Sequence, residues 1–170
     1  GPIKYHNVVA TIKGSQYPDE YVIVSGHLDA FDVATGGVDC GTGIAPMMEA
    51  ARLIALSGAK PKRTIIFVGF AAEEFGLLGA QAFCKTHKNK LAKVANLFNR
   101  DGGPNAATGM SVPQAWYNDI VEISKPIKEY NPEYPFDVTV AKPQPKPTEM
   151  GGTDATVFAV QGVPTFGLRE

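Results

Sequence analysis

The run of residues 64–70, Thr-Ile-Ile-Phe-Val-Gly-Phe, is the feature that most restricts the possible folds of this 170-residue chain. It is almost continuously apolar, which is typical of a strand that is covered on both faces. Similar strand-like runs occur at 7–13, 20–26 and 94–98, and helical spacing of apolar residues occurs over about 42–58 and 75–90. This alternation of strands and helices predicts an α/β fold, a three-layer α/β/α domain with a mainly parallel central sheet.

The last third of the chain has a weaker pattern. We expect a helix that Pro126 kinks or breaks, a proline-rich irregular segment, a short helix and a final strand, over residues 113–130, 141–147, 153–160 and 164–168 respectively. Because no repeat or long linker divides the chain, residues 1–170 are interpreted as a single domain.

Composition excludes several classes of protein. Hydrophobic residues make up 44% of the chain and the net charge is −1, so no basic face indicates a nucleic-acid partner. No apolar run approaches the roughly 20 residues of a membrane span. Two cysteines, Cys40 and Cys84, are too few for a disulfide framework, and Cys40 is interpreted as a small packed residue.

Imidazole and carboxylate residues follow the predicted strands at the point where each strand ends. They are His27, Asp29, Asp39, Glu73, Glu74 and Asp101. The carboxyl ends of parallel strands meet at one edge of a sheet, where ligands bind. Imidazole nitrogens and carboxylate oxygens are ligands that zinc takes, with an open position for water in catalytic sites. The sequence therefore predicts a hydrolytic metal site at this edge.

Spacing suggests different roles within this set. Adjacent side chains diverge, so Glu73 and Glu74 are expected to act differently, one as a metal ligand and the other as a general base. Asp29 lies two residues after His27 and would point to the same side of an extended segment. That placement suits a carboxylate that fixes the tautomer of a ligating imidazole.

Each of these residues also has an ordinary structural explanation. The glutamate pair can favour the dipole of a following helix, and Asp39 and Asp101, beside glycines, can be turn residues. Asp154, before a short helix, is expected to be an N-cap rather than a site residue. The metal site is favoured because four motifs share one edge of the predicted sheet.

Four segments carry a family resemblance: GHLDA, GGVDCGTG, AAEEFGLLGA and NRDGG. Together they resemble the zinc-dependent exopeptidases of metallopeptidase family 28, which includes bacterial leucyl aminopeptidases and carboxypeptidase Q. The resemblance covers about residues 7–103 and returns weakly at 152–158 and 162–164. It implies His27 and Asp101 as ligands of one zinc, Asp39 as the bridge between two zincs, Glu74 as a ligand of the second, Glu73 as the general base and Asp29 as the residue that orients His27.

The resemblance also implies two zinc ions per complete domain, a peptide or dipeptide substrate and an extracytoplasmic location; it does not indicate an oligomeric state. The chain departs from the family at Cys40, where a second Asp is usual, and at Ala155, where His is frequent. The family's last zinc ligand is a His beyond the final strand, and this sequence ends at Glu170, before that position. We therefore expect a domain without its C-terminal segment that holds one zinc or none and has little peptidase activity.

Two other functions remain open on the same fold. One is a one-zinc acyltransferase that resembles glutaminyl cyclase, which would differ in metal stoichiometry and in cyclising N-terminal glutamine. The other is a non-catalytic binding domain, which would have no need of a general base at Glu73.

Overall fold

The computed structural model describes residues 2–133 and 136–170 and confirms the predicted α/β architecture. Its main sheet has the strand order β1-β3-β2-β4. The strands are β1 (Val8–Ile12), β2 (Tyr17–His27), β3 (Arg63–Phe70) and β4 (Val94–Asn99). The central strand β2 is parallel to both β3 and β4. Strand β1 is antiparallel to β3, so the sheet is mainly parallel with one antiparallel edge.

Helices cover both faces of this sheet. They are α1 (Gly41–Leu56), between β2 and β3, α2 (Leu78–Thr86), after β3, and α4 (Asp154–Ala159). Ile23 of β2 packs in one apolar cluster with Phe83 of α2 and Phe158 of α4. Its neighbour Val24 lines a cavity with Met47 of α1, and successive strand residues point to opposite faces. The main sheet therefore lies between α1 on one side and α2 with α4 on the other.

Two predicted helices differ in detail from the structure. Helix α2 begins at Leu78, after a turn over residues 73–77, and is followed by a 3-10 helix, Lys88–Lys93. Of the two effects expected at Pro126, a kink or a break, the break is wrong, because α3 (Tyr117–Tyr130) continues through it. The missing N–H of a proline deprives the carbonyl four residues earlier, here that of Glu122. Glu122 is exposed, so water can take that hydrogen bond.

A second, smaller sheet was not predicted. Its order is β6-β5-β7, from β5 (Gly109–Val112), β6 (Asp137–Val140) and β7 (Leu168–Arg169). The predicted last strand over 164–168 is largely wrong, because only Leu168 of that range belongs to β7. The preceding residues instead lie beside β4, where Leu97 N–H donates to the carbonyl of Pro164. Among the described residues, no helix is both long and apolar enough to cross a membrane.

Candidate metal centre

His27, the last residue of β2, is the centre of the candidate site. Its side chain is 1% exposed. Its Nε2 lies 2.9 Å from Oδ1 of Asp39 and 3.2 Å from Oδ1 of Asp101. Asp101 follows β4, the strand beside β2, and Asp39 lies in the loop before α1. The strand order thus brings these three residues together at the carboxyl edge of the sheet, as expected.

The charges of this group are strongly coupled. Burial by itself lowers the pKa of His27, but hydrogen bonds to Asp101 and Cys40 outweigh it and raise that pKa to about 12. Burial raises the pKa of Asp101, but hydrogen bonds from His27 and Thr153 outweigh it and leave this pKa below its ordinary value. In the metal-free chain these hydrogen bonds favour the imidazolium, whose positive charge compensates the carboxylates. A dication bound by neutral imidazole would provide the same compensation.

Asp29 makes a contact that differs from the expected one. Its carboxylate accepts hydrogen bonds from the backbone N–H groups of Glu73, at 3.0 Å, and of Glu74, at 3.1 Å. Nδ1 of His27 lies 3.0 Å from the main-chain carbonyl oxygen of Asp29 and 3.6 Å from its carboxylate. The carbonyl thus replaces the carboxylate as the nearer partner of the imidazole, because the carboxylate is turned toward the end of β3. Asp29 joins the ends of β2 and β3.

Glu73 and Glu74 lie in the turn after β3 and are half-buried. Both line a cavity of about 390 Å³ with residues of the loop 150–152. Burial, together with the negative charge of Asp101, raises the pKa of Glu73 to about 7, although the charge of His27 opposes this. A carboxylate with a pKa near neutrality suits a general base. The two side chains therefore border open space at the end of β3.

Cys40 joins the group and Glu74 does not. One donor atom each from His27, Asp39, Cys40 and Asp101 lies within 4.8 Å of the other three, and Glu74 is not part of this described group. This differs from the expected convergence of Glu74 with the other three ligands. Cys40 is 2% exposed and lies at the N-cap position of α1. The sequence analysis interpreted Cys40 only as a packed residue and did not place it beside His27. Because Cys40 follows Asp39 directly in sequence, its proximity to the site could have been predicted.

Asp154 is the other residue whose place the sequence analysis missed. It is the first residue of α4, with Thr153 at the N-cap, and it is 0% exposed. Its carboxylate oxygens are among the buried polar atoms without a hydrogen-bond partner in the described part of the chain. Burial, and then the charge of Glu73, raises the pKa of Asp154 to about 7. Asp154 is therefore a buried, unpartnered carboxyl group whose pKa responds to the charge of Glu73, and it is not the N-cap that the sequence predicted.

A polar network holds the strand ends in place. Ser25 donates a hydrogen bond of 2.6 Å to the side-chain oxygen of Asn99, whose amide group donates one of 2.7 Å to the hydroxyl of Thr153. The Thr153 hydroxyl also lowers the pKa of Asp101. These hydrogen bonds link β2, β4 and the start of α4 at the edge of the sheet where His27 and Asp101 lie.

The donor set fits a borderline dication. A buried imidazole nitrogen faces two carboxylate oxygens at 2.9 and 3.2 Å, and zinc binds this combination in catalytic sites with a position left for water. Cobalt and manganese accept similar donors, so the geometry alone defines the class of metal and not its identity.

Comparisons with known proteins agree with this chemistry. The sequence matches the family described as Peptidase family M28 over residues 7–170. Carboxypeptidase Q of Rattus norvegicus is 33% identical over 172 residues, which cover 96% of this chain and 33% of that protein. The crystal structure of a peptidase M28 precursor from Shewanella amazonensis has a TM-score of 0.79 and 33% identity over 96% of this chain and 35% of its own.

Two more distant structures share the fold alone. A zinc aminopeptidase from Bacillus subtilis has a TM-score of 0.67 at 22% identity and covers 95% of this chain and 39% of its own. A glutaminyl cyclase from an Acidobacteriales bacterium has a TM-score of 0.66 at 16% identity and covers 95% of this chain and 57% of its own. The chain spans about a third of the length of the rat protein.

Proposed function

The chain therefore belongs to Peptidase family M28, and on that basis we propose that it provides the metal site of a zinc-dependent exopeptidase that hydrolyses terminal peptide bonds. The observation that carries the proposal is the contact of buried His27 with Asp39 and Asp101. The name of the rat relative, carboxypeptidase Q, supports the same reaction class.

We propose that His27, Asp101 and Asp39 would hold one zinc ion and that Asp39 and Glu74 would contribute to a second. The side chain of Asp39 is 61% exposed, so its far oxygen is accessible to a second ion. Glu74 lies outside the donor group, so in this chain the first site is expected to fill before the second. Bound zinc would polarise the scissile carbonyl and lower the pKa of an attacking water.

Glu73 is proposed as the general base. Its pKa of about 7 leaves it substantially deprotonated at neutral pH yet able to hold a proton. It would take the proton from water and return it to the leaving amine, which balances the hydrolysis. Asp29 would act by positioning, since its carboxylate fixes the backbone of Glu73. A cavity of about 390 Å³ that Glu73 lines could accommodate the terminal residue of a peptide substrate.

The proposal is tested by counting zinc and measuring hydrolysis in the same preparations. We expect His27→Ala to lose zinc. In an active form of the protein, Glu73→Gln should keep zinc but lose about 10²–10⁴ in the rate on aminoacyl or dipeptide substrates. Glu49→Gln is the matched control, because Glu49 is an exposed residue of α1 paired with Arg52. The zinc count reports the site even where turnover is too slow to measure.

Two results would contradict the proposal: His27→Ala that binds as much zinc as the parent chain, or Glu73→Gln that hydrolyses at the parent rate. Cyclisation of an N-terminal glutamine peptide without hydrolysis would favour the acyltransferase instead. The extracytoplasmic location and the treatment of residues 1–170 as one catalytic domain are proposals that rest on the family resemblance.

A further inference from the structure

Cys40 differs from the other cysteine in its surroundings. Cys84 belongs to the apolar cluster on the α2 side of the sheet, and burial raises the pKa of its thiol to about 12. Cys40 belongs to neither apolar cluster of the described residues. Its Sγ lies among polar groups, within 4.8 Å of a donor atom of each of three residues, His27, Asp39 and Asp101. A buried thiol beside an imidazole and two carboxylates is positioned to bind a metal ion rather than only to pack in an apolar core.

The dimensions of the group suit one ion held by these four donors, with the attacking water as a fifth ligand. Donor atoms around tetrahedral zinc lie about 3.3–3.6 Å apart, given bonds of about 2.0–2.2 Å to nitrogen and oxygen and about 2.3 Å to sulfur. The four donor atoms here all lie within 4.8 Å of one another, so small side-chain movements close them around an ion. In the structure, Sγ donates a hydrogen bond of 3.3 Å to the carbonyl of Arg100. A thiol is a weak donor, so losing this bond costs little.

The backbone around Cys40 holds the sulfur toward the site. A Cβ added at Gly43 would overlap both Sγ of Cys40 and the carbonyl oxygen of Arg100. The lack of a side chain at Gly43 therefore leaves the space that the sulfur occupies. Cys40 is also the N-cap of the 16-residue helix α1, an end of the helix that favours negative charge.

We propose, on the basis of the metal centre proposed above, that the Cys40 thiolate is a ligand of the ion held by His27 and Asp101. The ion would then be bound by nitrogen, oxygen and sulfur. These donors together are softer ligands than imidazole and carboxylates without the thiolate. Soft thiolate favours zinc, cobalt and cadmium over manganese and magnesium. The inference concerns the metal preference of the centre and is separate from the base role of Glu73.

The test uses cobalt as the probe, because a thiolate bound to Co²⁺ adds a charge-transfer absorption in the near ultraviolet. The cobalt-loaded chain is compared with Cys40→Ser and with Cys84→Ser, the matched control from the apolar cluster. We expect the band in the parent chain and in Cys84→Ser, and its loss in Cys40→Ser with cobalt still bound. We also expect the preference for cadmium over manganese to fall at least about tenfold in Cys40→Ser.

The outcomes separate the two proposals. Bound cobalt without the band in the parent chain overturns the sulfur ligand alone, and this result does not depend on whether a variant folds. The band in Cys40→Ser overturns it as well. If neither cobalt nor zinc binds to the parent chain, the proposed metal centre is wrong and the sulfur ligand is wrong with it.

Discussion

Replacing Asp154 with asparagine should stabilise the metal-free protein, and more at high pH than at low pH. The residue is 0% exposed, and its carboxylate oxygens have no partner among the described residues. Burial, with the nearby charge of Glu73, raises its pKa from 3.8 to about 7 in the folded chain. An unpaired carboxylate in this position disfavours the folded state whenever it is ionised. Asparagine keeps the shape and removes the charge.

The sign and size of the effect follow from the two pKa values. Below about pH 3.8 the carboxyl group is protonated in both states and costs nothing. Between that value and about pH 7 the unfolded chain loses the proton while the folded chain keeps it, so the free energy of unfolding falls by about 1.4 kcal/mol per pH unit. Above about pH 7 the loss is complete, at about 4 kcal/mol.

Urea unfolding in the presence of a chelator measures this. From about pH 5 to about pH 8, the stabilisation by Asp154→Asn should grow by about 3 kcal/mol. Asp32→Asn, in the exposed loop before α1, is the control and should show no such growth. Added zinc should reduce the gain, because a nearby dication offsets the carboxylate charge. An equal effect of Asp154→Asn at both pH values would refute the reasoning.

Other substitutions test the fold and the strand ends. Phe158→Ala should cost about 3–5 kcal/mol in the free energy of unfolding, because this 0% exposed ring packs 5.8 Å from Phe70, centroid to centroid; an unchanged denaturation midpoint would contradict the packing. Asp29→Asn should cost about 1–3 kcal/mol, because asparagine cannot accept both backbone hydrogen bonds. Hydrogen exchange at Glu73 and Glu74 should then accelerate, and unchanged protection there would show that Asp29 does not hold this turn. Arg52→Ala, which removes an exposed ion pair within α1, should leave the denaturation midpoint unchanged, measured in the same way.

The sequence pattern predicts the main sheet because its strands are long and apolar. The run 64–70 is buried on both faces in the structure, as its composition indicates. The four-residue strands β5 and β6 pair with each other across 24 intervening residues (113–136) and have little periodicity of their own. Their place depends on tertiary packing around Val112 and Phe136, which local patterns do not contain. Strands of four residues are too short for a sequence pattern to predict them, so the second sheet could not be predicted.

The same distinction applies to the site. His27, Asp39 and Asp101 come together because each follows a predicted element at one edge of the sheet. Cys40 and Asp154 were assigned ordinary roles because each has a common local explanation, packing or helix capping. The structure adds two properties that those explanations do not contain: Cys40 is buried beside polar groups, and Asp154 is buried without a hydrogen-bond partner among the described residues. Both properties depend on residues distant in the chain.

The hydrogen bond between His27 and Asp101 joins residues 74 positions apart, and this bears on how a metal ion could be acquired during synthesis. When the ribosome has released His27 and Asp39 but not yet Asp101, the imidazole has only one of its two carboxylate neighbours. Pairing of β2 with β4 must come before the donors meet, and such long-range pairing is slow compared with local helix formation. Metal binding would therefore follow the pairing of β2 with β4. An ion present earlier would bind the nascent polypeptide only weakly.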